Sequence, residues 1–198
     1  MKAYLPKPSQ LPQCMPHLRD NWRRRTCRGV LRLCGWSWAG NLPDVPQAVL
    51  IAAPHSSWWD GIWGLLMKVG IGADVKFMAK QELFRGPLGS VLRRLGGMSI
   101  DRAAAKGVVE QMVDQFARHE SFWLGMAPEG TRKAVKRWRS GFWHIAHDAN
   151  VPIVTAFFNY ADKTIGVGPL FHTTADMDAD LQRLRELYAP YKGKHRDV

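Results

Sequence analysis

At 198 residues, with 46% apolar and 23% charged side chains, the chain has the length of one domain and a globular composition, which argues against a disordered protein. A formal net charge of +11 calls for an anionic partner: lipid headgroups, nucleic acid or a phosphorylated substrate. Three cysteines, Cys14, Cys27 and Cys34, are odd in number and crowded near one end, which argues against a disulfide framework and for a reducing compartment.

Residues 1–16 are rich in proline and polar side chains and read as a flexible tail. Residues 17–40 read as a basic amphipathic helix. Leu18, Trp22, Thr26, Val30 and Leu33 fall at helical spacing, with Arg19, Arg23, Arg24, Arg28 and Arg32 largely elsewhere on the wheel. Residues 1–40 hold eight Lys or Arg against Asp20 alone, so most of the charge excess lies there. Such a helix suits a membrane interface, and it equally suits packing on the domain with a solvated arginine face. Arg28 and Arg32 interrupt the run that an export signal needs, so that reading is rejected. No stretch approaches the ~20 apolar residues of a membrane span.

Gly40-Asn41-Leu42-Pro43 breaks the chain, and residues 41–198 alternate between strand and helix patterns. Strands are expected at Gln47–Ala53, Asp74–Ala79, Met98–Ile100, Ser121–Ala127, Val151–Phe158 and Lys163–Val167. Helices are expected at Asp60–Val69, Pro87–Leu95, Ala103–His119, Gly141–Ala149 and Asp176–Tyr188, the last capped by Asp176. The alternation predicts a single α/β domain with a mixed, partly parallel central sheet flanked by helices, plus the N-terminal amphipathic helix.

Two short segments carry the chemistry. His55 and Asp60 follow the first buried strand, and Glu129-Gly130-Thr131-Arg132 follow another. On a regular helix a separation of five places side chains roughly 140° apart. The imidazole and carboxylate therefore meet only if residues 55–59 turn and Asp60 begins the helix, with Ser56-Ser57 supplying the cap. Asp60 then fixes the imidazole tautomer, and the other nitrogen of His55 is available to take a proton. By itself the pair also fits a loop histidine beside an ordinary capping aspartate. Arg132 offers a bidentate grip on phosphate. Arg102 and Lys80, each placed just after an expected strand, add a guanidinium and an ammonium where open sheets gather functional loops. His144 and His147 lack a further ligand set and are read as helix residues, so no metal is expected.

Four blocks in order complete the picture: His55 to Asp60, Gly97-Met98-Ser99-Ile100-Asp101-Arg102, Glu129-Gly130-Thr131-Arg132, and Val151-Pro152-Ile153-Val154. On these the chain resembles the glycerolipid acyltransferase family, whose best-known members acylate lysophosphatidic acid, from about Gly35 to Pro169. The resemblance implies that His55 is the general base and Asp60 its partner. It places Glu129 and Gly130 in the site's turn, gives the acceptor phosphate to Arg102, Thr131 and Arg132, and lets Pro152 shape a substrate pocket. Ser99 and Thr155-Ala156 depart from the family's usual pattern in the parts that recognise the acceptor. The expected reaction moves a fatty acyl group from an acyl-carrier-protein or coenzyme A thioester to a lysophospholipid hydroxyl, most directly 1-acyl-glycerol-3-phosphate, with no resident cofactor. The expected place is the cytoplasm, peripherally bound to the anionic inner face of a membrane. A lyso-aminolipid acceptor, hydrolysis of the thioester by water, and a basic nucleic-acid-binding protein are the alternatives. The last lacks any recognisable nucleic-acid-binding motif.

Overall fold

The strand at Gln47–Ala53 is enclosed on both faces, as a central parallel strand must be, and the rest of the chain is layered around it. The computed structural model describes residues 4–6, 10–100, 107–133, 135 and 137–195. In chain order its elements are α1 (Trp22–Leu33), β1 (Ser37–Ala39), β2 (Gln47–Ala53), α2 (Trp58–Ile71), β3 (Val75–Lys80), α3 (Gly86–Arg94), β4 (Gly97–Ile100), α4 (Val108–Arg118), β5 (Phe122–Met126), α5 (Gly141–Asp148), β6 (Ile153–Asn159), β7 (Thr164–Phe171) and α6 (Met177–Tyr188).

The sheet runs β1-β7-β6-β2-β5-β3-β4. Strands β2, β3, β4, β5 and β6 are parallel, β7 is antiparallel to β6, and β1 is parallel to β7. The single α/β domain is therefore mixed but mostly parallel. Period-two alternation sorts the side chains of β2. Val49, Ile51 and Ala53 join Met112, Phe116, Phe142 and Leu184 on one face. Ala48, Leu50 and Ala52 join Leu31, Met67, Ile71 and Trp123 on the other. Helices thus cover both faces, and the carboxyl ends of five parallel strands point to one edge.

The N-terminal segment differs from its sequence reading. The helix is shorter than residues 17–40, and Ser37–Ala39 instead pair with β7 as an edge strand. Helix α1 packs along α2, but not on the face that apolar spacing marks out. Trp22 and Leu33 are 70% and 89% exposed, whereas Arg24 is only 4% exposed and Leu31 is fully buried. The reason is the carboxyl end of α2, whose last carbonyls need donors. Arg24 donates to the carbonyls of Gly70 and Ile71, and Arg28 donates to those of Gly70, Leu5 and Pro6. Gly72 makes room for this in a left-handed turn, where a Cβ would lie 2.6 Å from the Arg24 guanidinium carbon.

The described part of residues 1–16 is likewise packed rather than loose. Leu5 and Met15 are buried, Trp38 N–H bonds the Tyr4 carbonyl, and Asp74 N–H bonds that of Pro16. Of the helix expected at Ala103–His119, α4 occupies Val108–Arg118, and residues 101–106 lie outside the described residues. Asp176 caps α6 through Ala179 N–H as expected. Among the described residues no helix is long and apolar enough to cross a membrane.

Candidate active site

The carboxyl ends of the parallel strands carry the residues that the sequence singles out. Residues Pro54 and His55 follow β2, Glu129 follows β5, and Lys80 ends β3. Helix α2 leaves β2 on one face and α5 leaves β5 on the other, so loops diverge there and leave a crevice.

His55 Nδ1 lies 3.4 Å from Asp60 Oδ2. Helix α2 begins at Trp58 rather than at Asp60, with Ser57 as its N-cap and Asp60 completing a capping box. Asp60 Oδ2 accepts the N–H groups of Ser56 at 2.6 Å and Ser57 at 2.7 Å. One carboxylate thus caps the helix and faces the imidazole. An imidazole whose Nδ1 faces a carboxylate keeps its proton there, which leaves the lone pair on Nε2. The His55 side chain is 26% exposed, enough to meet a substrate.

Glu129, 1% exposed, reaches back to this loop: its Oε1 accepts the backbone N–H of His55 at 2.7 Å. The turn after β5 is thereby fastened to the one after β2. Gly130 takes a positive φ of 65° to make that turn, closed by its N–H on the Ala127 carbonyl. Thr131 Oγ accepts from Lys133 N–H at 3.3 Å. Arg132 lies with its guanidinium carbon 3.6 Å from the ring centre of the exposed Trp58. This cation–π contact holds the cation beside the first turn of α2. Lys80 aligns with Ile100 at the same edge, and Arg102 lies outside the described residues.

Several participants were not singled out in the sequence. Tyr160, just after β6, donates from its hydroxyl to Asp60 Oδ1 at 2.5 Å. Burial first, and then the Asp60 carboxylate, hold this phenol well above its ordinary pKa, so it stays a donor. Position alone hinted at it, since Tyr160 follows a buried parallel strand as His55 and Glu129 do. Tyr188, whose hydroxyl donates to the Ile51 carbonyl at 2.9 Å, is raised by burial and then by Glu129. The chain's far end also arrives here. His195 N–H bonds Ser56 Oγ at 3.2 Å, and Lys194 Nζ stands 4.9 Å from the Trp59 ring centre.

Behind His55 and Asp60 a cavity of about 360 Å³ runs between α2 and the sheet. Leu50, Ala52, Gly64, Met67, Trp123 and Phe158 are among its walls. Its lining stretches from Asp60 to Ile71 along the helix, roughly 16 Å at 1.5 Å per residue. Lys68 lies along this wall, and its ammonium donates to the carbonyls of Val75 and Leu95. Burial pushes its pKa down to about 8. Among the described residues no three His, Cys, Asp or Glu side chains gather as a metal-ligand set. His147 stacks on Trp143 at 4.6 Å, and His144 meets the same ring edge-on.

No curated protein matches the chain. A solved structure does: the 1-acyl-sn-glycerophosphate acyltransferase PlsC from Thermotoga maritima, 18% identical, covers 86% of this chain and 80% of its own at a TM-score of 0.59. That likeness speaks for the fold. The family model described as Acyltransferase matches residues 39–159, a span that holds His55, Asp60 and the Glu129–Arg132 turn, and the chain belongs to that family.

Proposed function

We propose that the protein transfers a fatty acyl group from a thioester of acyl-carrier protein or coenzyme A to the free hydroxyl of a lysophospholipid, foremost 1-acyl-glycerol-3-phosphate. The observation that carries this reading is a carboxylate-oriented imidazole at the mouth of an apolar cavity, next to the Arg132 cation. The acyl chain enters the cavity between α2 and the sheet, whose walls suit it and exclude water. The acceptor's phosphate meets Arg132 and Thr131 of the turn after β5, with Lys80 from the end of β3, and the family resemblance adds Arg102.

In the reaction, Nε2 of His55 removes the hydroxyl proton as that oxygen attacks the thioester carbonyl. A tetrahedral oxyanion forms with the new C–O bond. Its collapse breaks the C–S bond, and the imidazolium returns the proton to the departing thiolate. Oxyanion donors are expected among the backbone amides of Ser56–Trp58 or of the Glu129–Arg132 turn. Ser56 and Ser57 N–H are committed to Asp60, and Gly130 N–H to Ala127, so those three are removed from the role. Trp58 N–H, at the first position of α2, is the donor of the first stretch that fits.

The surface around the mouth suits an anionic membrane, with exposed Trp58, Trp59 and Ile62 beside Arg132 and Lys194. The deciding experiment incubates purified protein with acyl thioesters and a panel of lyso-lipids and follows diacyl product by mass spectrometry. Activity on lysophosphatidic acid that falls at least ~100-fold in His55→Ala is the expected result. Undiminished activity in that variant removes the mechanism. Release of free fatty acid without acceptor would point to hydrolysis instead.

A further inference from the structure

We propose that Tyr160 is a positioning residue for the catalytic pair: its hydroxyl sets the plane of the Asp60 carboxylate so that Oδ2 stays on His55 Nδ1. The inference rests on the acyl-transfer reading of this site and adds a third member to it.

The contacts of Asp60 are unevenly divided. The Ser56 and Ser57 amides and the His55 ring all approach Oδ2, whereas the Tyr160 hydroxyl donates to Oδ1 at 2.5 Å. The terminal torsion of an aspartate is broad, and three partners gathered at one oxygen leave the carboxylate free to pivot about it. A donor on the opposite oxygen removes that freedom. Asp60 is fully buried, so water does not supply this donor.

Tyr160 is itself held at its ring and at its backbone, and the neighbouring Asn159 reinforces the second hold. Its ring meets the edge of Trp36 at 5.1 Å and 87°, its N–H bonds the Lys192 carbonyl at 2.8 Å, and Lys192 N–H bonds Asn159 Oδ1 at 3.0 Å. Trp36 in turn packs on Trp63 of α2 at 5.4 Å. The phenol is thus braced by the same helix whose first turn it orients. A tyrosine present only to fill space would not need its hydroxyl on a buried carboxylate.

Tyr160→Phe keeps the ring and its contact with Trp36 and deletes only the hydroxyl. The expected result is a fall in kcat of about ten- to a hundredfold, the change that follows loss of a hydrogen bond to a charged group, with KM for thioester and acceptor within about twofold. Nitrogen-15 NMR of the histidine ring, read without any substrate, should show His55 protonated on Nδ1 in the wild type and a mixture of tautomers in the variant. A variant with wild-type kcat overturns the proposal. So does a variant whose His55 tautomer is unchanged, because any lost activity would then come from a weakened fold, visible as a lower Tm. If His55→Ala retains full acyl transfer, the reaction assignment falls, while the tautomer measurement still decides the role of Tyr160.

Discussion

Replacing Glu129 by alanine tests how the two halves of the site are joined. Glu129 is 1% exposed, and its Oε1 accepts the backbone N–H of His55 at 2.7 Å. Alanine leaves that amide without its acceptor in the interior, at a cost of about 1–3 kcal/mol. The lost side-chain packing adds about 1 kcal/mol, for a total of roughly 2–4 kcal/mol. The catalytic loss should be larger in proportion. His55 is placed through this amide, and a shift on the order of 1 Å in a reacting group costs about a hundredfold in rate. Glu129→Gln retains a carbonyl oxygen at the same reach and should stay within about 1 kcal/mol of wild type. Urea unfolding and single-turnover acyl transfer on the three proteins give the comparison. Wild-type stability and rate in Glu129→Ala would refute the idea that this bond fastens the turn after β5 to the catalytic histidine.

Two further substitutions probe the cavity wall. Gly64→Leu places a side chain where a Cβ already comes within 3.3 Å of the Phe158 ring, so it must turn into the cavity. Transfer from long-chain thioesters should fall about tenfold or more while short-chain donors are retained; parallel losses on both would show that the chain does not lie there. Lys68 tests linkage. Its pKa is lowered by burial to about 8 from the ordinary 10.5, so between those values the unfolded chain holds more proton and the fold gains stability as pH rises. The gain is on the order of 3 kcal/mol across that window and should vanish in Lys68→Met. Superimposable stability–pH curves for the two proteins from pH 7 to 10.5 would contradict this.

Much of the architecture was legible because burial writes a simple pattern. Gln47–Ala53 and Val151–Phe158 read as enclosed strands since nearly every residue must be apolar when both faces are covered. His55 and Asp60 were legible because their partnership is local, set by one turn and one capping box. The inward face of α1 was not. Periodicity assigns arginines to water, whereas Arg24 and Arg28 turn inward to the carbonyl end of a helix more than forty positions along the chain. Tyr160 was hidden for the same reason, since its bond to Asp60 spans one hundred positions and only the pairing of β2 with β6 brings them together. A three-residue edge such as β1 carries too few side chains to announce itself by alternation.

The placement of Arg24 and Arg28 changes what the basic segment presents to its surroundings. A tally along residues 1–40 counts eight cations, yet two of them point into the protein, their guanidinium groups engaged by main-chain oxygens. Arg23, Arg25 and Arg32 are the ones on the outer side of α1, with Trp22 at its start and Leu33 at its end. On the proposal that this helix adsorbs to an acidic bilayer, binding should weaken with added sodium chloride less steeply than the tally implies, and neutralising an outward arginine should flatten that dependence further.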